Sequence, residues 1–195
     1  MESYALMGAT IITPYMEIEN GVLIVSDNKI EAVGRRESIS VPEGMEKIDV
    51  SSMTLLPGFI DLHIHGALGV KACNGVDAIR IMNEYLPSCG TTGWLPTVDS
   101  IEAMEYIALA IEEEMAGADI LGIHMEGPFL APKNIPGTPH EEPNLPNLKE
   151  YEAMLEAGKG YFRMMGLAPE LDGALELIKE MGKTGVVAAA AHSKA

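Results

Sequence analysis

The sequence predicts an α/β fold, with a β-rich leader over residues 1–54 followed by parallel βα units over residues 55–195. Three observations carry this expectation. The leader holds short runs of Val, Ile and Thr with no helical period, and after Pro57-Gly58 strand-like and helix-like segments alternate. Of the 195 residues 47% are apolar and 22% charged, which is enough apolar surface to bury a core and too little charge for a disordered chain.

In the leader, GATIITP, GVLIVSDNKIEAVG and EKIDVSSMTLL read as strands, punctuated at Asn20-Gly21, Asp27-Asn28, Gly34 and Pro42-Glu43-Gly44. Beyond it, strands are expected at 59–65, 93–98, 120–126, 162–168 and 186–192, with helices near 77–88, 100–115, 147–157 and 171–181. Asp99-Ser100 and Glu102 open the second helix, whose apolar stripe is Ile101, Met104, Ile107, Ala108, Ile111 and Met115. Leu171, Ala174, Leu175, Ile178 and Met181 form the stripe of the last helix, which is expected to end at Gly182. Both stripes read as core packing. Between Pro128 and Pro146 lie six of the twelve prolines, an irregular length that a compact domain rarely carries without using it. It reads as an active-site loop, the alternative being a tolerated surface insertion.

Charge narrows the partners. The chain carries 29 acidic and 13 basic side chains, a net −16, and the acidic excess is already nine to four between Glu2 and Asp49. Nucleic acid and anionic membrane, which need Lys/Arg clusters, are therefore disfavoured. The opening MESYALMGATIITPYMEIEN has no basic region followed by an apolar run, and no stretch of 18 apolar residues occurs, so a cytoplasmic protein is expected. In that setting Cys73 and Cys89 are expected to be reduced thiols.

All five histidines follow residue 62. In FIDLHIH the period of two puts Asp61, His63 and His65 on one face, so both imidazoles can reach one metal ion from the end of a strand. In ILGIHMEG it groups Gly122, His124 and Glu126; in VVAAAAHS it groups Ala188, Ala190 and His192. Three strands of a βα series thus finish on a metal-competent side chain, and ligands of parallel α/β barrels gather at that carboxyl end. Imidazole with carboxylate suits zinc, iron(II) or manganese, and the chemistry such an ion supports is hydrolysis of an amide-like bond. Ser193 lacks the glycine pattern of a nucleophile elbow, neither thiol adjoins a histidine, and phosphate-binding glycine loops are absent.

LLPGFIDLHIHG, then GIHMEGPFL, then AAHSKA resemble the amidohydrolase superfamily, and within it the N-acetylglucosamine-6-phosphate deacetylases; HMEGPFL is the most specific phrase. The likeness runs through the whole chain but over only the first half of the family's length. It implies a partial (β/α)8 TIM barrel, its first five strands, preceded by part of a small β-sandwich. It also implies hydrolysis of the acetamide of N-acetylglucosamine 6-phosphate to glucosamine 6-phosphate and acetate, with one or two divalent ions, zinc or iron, and the homodimer common in the family.

By the same resemblance Glu126 and His192 are ligands of the catalytic metal, and His63 with His65 is the pair that holds a second ion in some members. Pro139 and His140 match the substrate-contacting alanine-histidine pair, although Gly-Thr-Pro-His stands where the family reads Lys-Gly-Ala-His, and Ala191 stands where it often has glycine. His124 reads as a support for a ligand rather than a ligand. The family's second metal histidine, its general-base aspartate and its sugar- and phosphate-gripping residues are expected beyond Ala195. The alternatives are another amidohydrolase, acting on a cyclic amide or a deaminable base, and a non-catalytic partial barrel.

Overall fold

The computed structural model describes residues 3–113, 115–132 and 142–195. It divides into two compact units, residues 1–57 and 58–195. Each follows its own local rules.

The first unit is a five-stranded sheet ordered β3-β2-β1-β4, with β5 also beside β1: β1 (Tyr4–Ile12), β2 (Glu17–Ser26), β3 (Lys29–Arg35), β4 (Glu46–Asp49) and β5 (Thr54–Leu55). Hairpins join β1 to β2 and β2 to β3; β4 and β5 return parallel to β1. A bulge at Gly8 changes the phase of β1, so that Ala5 and Met7 pack with Val22 and Ile24 while Ala9 and Ile11 pack with Ile18 and Val50 in a second cluster. Asp27-Asn28 makes the expected hairpin turn, both residues left-handed. Asn20-Gly21 does not: it lies inside β2, where left-handed Asn20 bends the strand beside the irregular stretch of β1 instead of reversing it. Among the described residues this unit shows one sheet, with no second sheet facing it.

The second unit is a curled, wholly parallel half-barrel of β6 (Phe59–Ile64), β9 (Thr91–Val98), β10 (Asp119–Ile120) with β11 (Ile123–Glu126), β12 (Phe162–Leu167) and β13 (Val187–Ala190). A small hairpin of β7 (Gly66–Ala67) and β8 (Val70–Lys71) follows β6. The helices are α1 (Val76–Tyr85), α2 (Ile101–Glu112), α3 (Leu148–Ala157) and α4 (Ala174–Thr184). Ser100 caps α2 by accepting from the Ala103 N–H at 3.3 Å, and Asn147 caps α3 by accepting from Lys149 N–H at 2.9 Å. Their apolar faces close on Trp94, Val98, Ile123, Met125, Met165 and Leu167 in one core. Among the described residues no helix is long and apolar enough to cross a membrane.

Two expectations change here. The last helix begins at Ala174, after left-handed Gly173, and runs to Thr184; its buried stripe is Ala174, Leu177 and Met181, while Leu175 is 62% exposed. Leu171 reaches the core from the turn before the helix, so it does not set the helix's phase. The strand expected over 120–126 breaks at Gly122, whose φ of +146 and Cβ position 2.6 Å from the Tyr161 carbonyl exclude any side chain. The break lets Leu121 N–H bond the Trp94 carbonyl and Ile123 N–H the Tyr161 carbonyl, so that the chain gains β12 as a neighbour while still pairing with β9.

Candidate metal centre

The carboxyl ends of β6 and β11 meet inside the curl. Ile64 faces the helix side, so His63 faces inward, and His65 follows just beyond the strand. The two Nε2 atoms lie 3.1 Å apart. Glu126 ends β11, with Oε2 3.0 Å from His65 Nε2 and Oε1 3.6 Å from His63 Nε2. His63, His65 and Glu126 each place a donor atom within 4.8 Å of the others. His192 approaches the same carboxylate from the far side, its Nε2 3.0 Å from Oε1.

His192 arrives by a route the alternation did not foresee. The strand expected over 186–192 ends at Ala190, and Ala188 packs against the helix-side core, so a regular continuation would turn residue 192 outward. Instead His192 adopts φ +46, and this left-handed step brings its ring to Glu126.

The end of β6 is peeled from its neighbour and held by side chains. Its ladder with β9 is interrupted between Asp61 and Ile64. Asp61 Oδ1 accepts from His63 N–H at 3.0 Å, Thr97 Oγ1 accepts from Ile64 N–H at 3.1 Å, and His124 Nδ1 donates to the Leu62 carbonyl at 2.7 Å. Three backbone groups that would otherwise lack partners are thereby satisfied at the point where the two histidines emerge. His124 is 3% exposed and does not join the cluster of donors; its ring stands edge-on to His63, centroids 4.8 Å apart, with Nε2 buried and unpartnered. Burial holds its pKa below the ordinary histidine value, against the opposing pull of the Leu62 carbonyl. Neutral His124 with its proton on Nδ1 fits the bond it makes. Alternation places Asp61 on the face of His63 and His65 without showing its bond to the backbone, although an Asp two residues before His63 is the signal of a local side-chain-to-backbone turn, and nothing in the order of residues marks Thr97.

Burial alone would raise the Glu126 pKa, but the hydrogen bond from His192 and the nearby His63 and His65 outweigh it and hold the carboxyl below its usual value. It is the one anion at the centre of three imidazoles. Pro139 and His140, expected to contact substrate, lie outside the described residues.

No protein-family model matches the chain. Relatives nonetheless cover it end to end. An N-acetylglucosamine-6-phosphate deacetylase of Bacillus subtilis (strain 168) is 32% identical over 205 residues, taking in 100% of this chain and 51% of its own length. The chain is a homologue of the N-acetylglucosamine-6-phosphate deacetylases. An N-acetylgalactosamine-6-phosphate deacetylase of Escherichia coli O157:H7 is 26% identical, with 99% of this chain and 51% of its own length aligned. The solved structure of a mutant N-acetyl-D-glucosamine-6-phosphate deacetylase from Mycobacterium smegmatis, in complex with N-acetyl-D-glucosamine-6-phosphate, superposes with a TM-score of 0.80 at 26% identity, covering 100% of this chain and 51% of that one. The chain therefore spans about half the length of the curated relatives it matches.

His124 offers a direct probe of how the donor pair of this deacetylase homologue is held. Replacing it with Leu removes the donor to the Leu62 carbonyl and leaves the volume filled. The expected result is a fall in zinc affinity of about tenfold or more with little loss of stability, since one hydrogen bond of about 1 kcal/mol is lost while an unpartnered buried nitrogen is removed. Calorimetric titration beside thermal melting checks both halves of that expectation.

Proposed function

We propose that this chain carries the metal-holding and carbonyl-activating part of a deacetylase acting on an N-acetylated amino-sugar 6-phosphate, foremost N-acetylglucosamine 6-phosphate. Water cleaves the acetamide C–N bond, releasing acetate and the free amine. The observation that supports this most is the convergence of His63, His65 and His192 on Glu126, at strand ends, in a chain aligned along its whole length with such deacetylases.

The donor set fits a divalent ion. Zinc–nitrogen bonds of about 2.0–2.1 Å put neighbouring tetrahedral donors roughly 3.3 Å apart; here the two Nε2 atoms are 3.1 Å apart, His65 Nε2 is 3.0 Å from Glu126 Oε2 and His63 Nε2 is 3.6 Å from Glu126 Oε1. His63, His65 and Glu126 would hold one ion, and Glu126 with His192 part of the shell of a second, zinc or iron in either place. A divalent ion held there polarises an acyl carbonyl and lowers the pKa of water. The chain's own residues do the rest: His124, Asp61 and Thr97 hold the histidine pair in place, and Glu126 presents Oε2 to His65 and Oε1 to both His63 and His192.

Among the described residues no aspartate joins the donor cluster, and Asp61 is engaged with the His63 N–H. Residues 1–195 alone are accordingly expected to bind metal without the turnover of a complete deacetylase, whose proton-transfer aspartate the resemblance assigns to a later strand. Elemental analysis of the purified chain, with acetate release from the 6-phosphates of N-acetylglucosamine and N-acetylgalactosamine, tests the reading. One to two zinc or iron ions per chain is the expected result. Absence of stoichiometric metal would reject the site, and metal-dependent acetate release by residues 1–195 would reject the need for a further aspartate.

A further inference from the structure

His192 is the member of the donor set with a strained backbone, and something must hold it. Its φ of +46 is a conformation a non-glycine residue keeps only where its surroundings over-determine it. On the strand side, the Ala191 N–H bonds the Leu167 carbonyl at 2.9 Å, and the His192 carbonyl accepts from Ala131 N–H at 3.1 Å. On the far side, one carboxylate takes both available donors. Glu170, in the loop after β12, accepts from the Ser193 hydroxyl through Oε2 at 2.9 Å and from the Lys194 N–H through Oε1 at 2.5 Å.

From this bidentate grip we infer that Glu170 is a positioning residue: it fixes the backbone of residues 192–194 so that the His192 imidazole meets Glu126. The inference rests on the reading of that cluster as a metal centre, but its geometric part stands apart from it. Glu170 is exposed and touches no donor atom of the cluster, so it acts through the loop. The same donors, with the Lys194 backbone first, hold its pKa below the usual value and keep it the anion the grip requires. Nothing in the sequence flagged it, since it lies 22 residues before His192 and on another strand's loop.

The test compares the wild-type chain with Glu170→Ala, Glu170→Gln and Ser193→Ala. Zinc affinity is expected to fall about tenfold in Glu170→Ala, the range seen when a partner of a metal ligand is removed, and less in Glu170→Gln, whose amide oxygen still accepts one bond. Melting temperature should stay close to wild type, because the grip is on the surface. Metal-free samples supply the second readout: the His192 ring resonance should shift and the Lys194 amide lose its exchange protection in Glu170→Ala, while the His63 and His65 resonances stay put. Equal zinc affinity in wild type and Glu170→Ala, or an unprotected Lys194 amide in wild type, overturns the inference. A wild-type chain that binds no zinc but shows the His192 and Lys194 changes rejects the metal reading and upholds the grip.

Discussion

Glu126→Ala is expected to abolish metal binding, the largest functional effect any single substitution in the second unit should have. Removing an outer partner of a metal ligand weakens binding by about 10- to 100-fold, and a ligand common to both halves of the site should cost more than the upper figure. Glu126 is the only anion among the four donors and the only one within hydrogen-bonding or ion-pair distance of all three histidines. Without it, three neutral imidazoles would have to neutralise a divalent ion by themselves. Zinc at one hundred times its Kd should stabilise the wild-type chain by about 2.7 kcal/mol, a rise in Tm of roughly 10 °C for a unit of this size, and should leave Glu126→Ala unmoved. The metal-free variant should melt slightly below the wild type, because the carboxylate's attraction to the histidines outweighs the cost of its partial burial. Stoichiometry sharpens the test. If two ions bind, His63→Ala should lose one and His192→Ala the other, whereas Glu126→Ala loses both.

Much of this site was legible in the order of the residues, because the relevant rules are local. Period-two alternation alone places His63 beside His65, and His124 on the same face as Glu126; both pairings appear in the folded chain. The four helices were legible as segments, and α2 also from its apolar stripe and its Ser100 cap. What was not legible depends on tertiary closeness or on unusual backbone. His192 reaches Glu126 only through a left-handed step that alternation cannot express, and the break at Gly122 follows from the crowding of Tyr161 and Arg163, some 40 residues away. Leu175 belonged to a stripe on paper and to the surface in fact, because Gly173 starts the helix three residues later than the stripe implied. Thr97, Glu170 and the backbone bond of Asp61 stayed hidden for a related reason: polar residues that satisfy backbone groups have no period of their own.

The largest stability effect should come from the opposite end of the half-barrel, at Gly117. This residue sits in the turn before β10, with φ +114, and an added Cβ would lie 2.1 Å from the carbonyl oxygen of Asn83. Asn83, 1% exposed on α1, ties three elements at once: Oδ1 accepts from Trp94 Nε1–H at 2.8 Å, Nδ2 donates to the Ala116 carbonyl at 2.8 Å, and its own carbonyl accepts from Ala118 N–H at 3.0 Å. Gly117→Ala must therefore strain the backbone and pry this joint open together, leaving the fully buried Trp94 N–H at risk of losing its acceptor. Strain of about 1–3 kcal/mol with one or two hydrogen bonds of about 1 kcal/mol each gives an expected loss near 4 kcal/mol, and a fall in Tm above roughly 10 °C. Gly182→Ala is the matched control. It places the same methyl group in exposed helix α4 with no atom within 4 Å, and should stabilise by about 0.5–1 kcal/mol because alanine is the better helix former. A Gly117→Ala variant that melts with the wild type would show that the turn shifts freely. At a temperature where it remains folded its zinc affinity should equal that of the wild type, because the joint lies before the strands and the donors lie after them, and in a parallel barrel those two ends carry stability and chemistry separately.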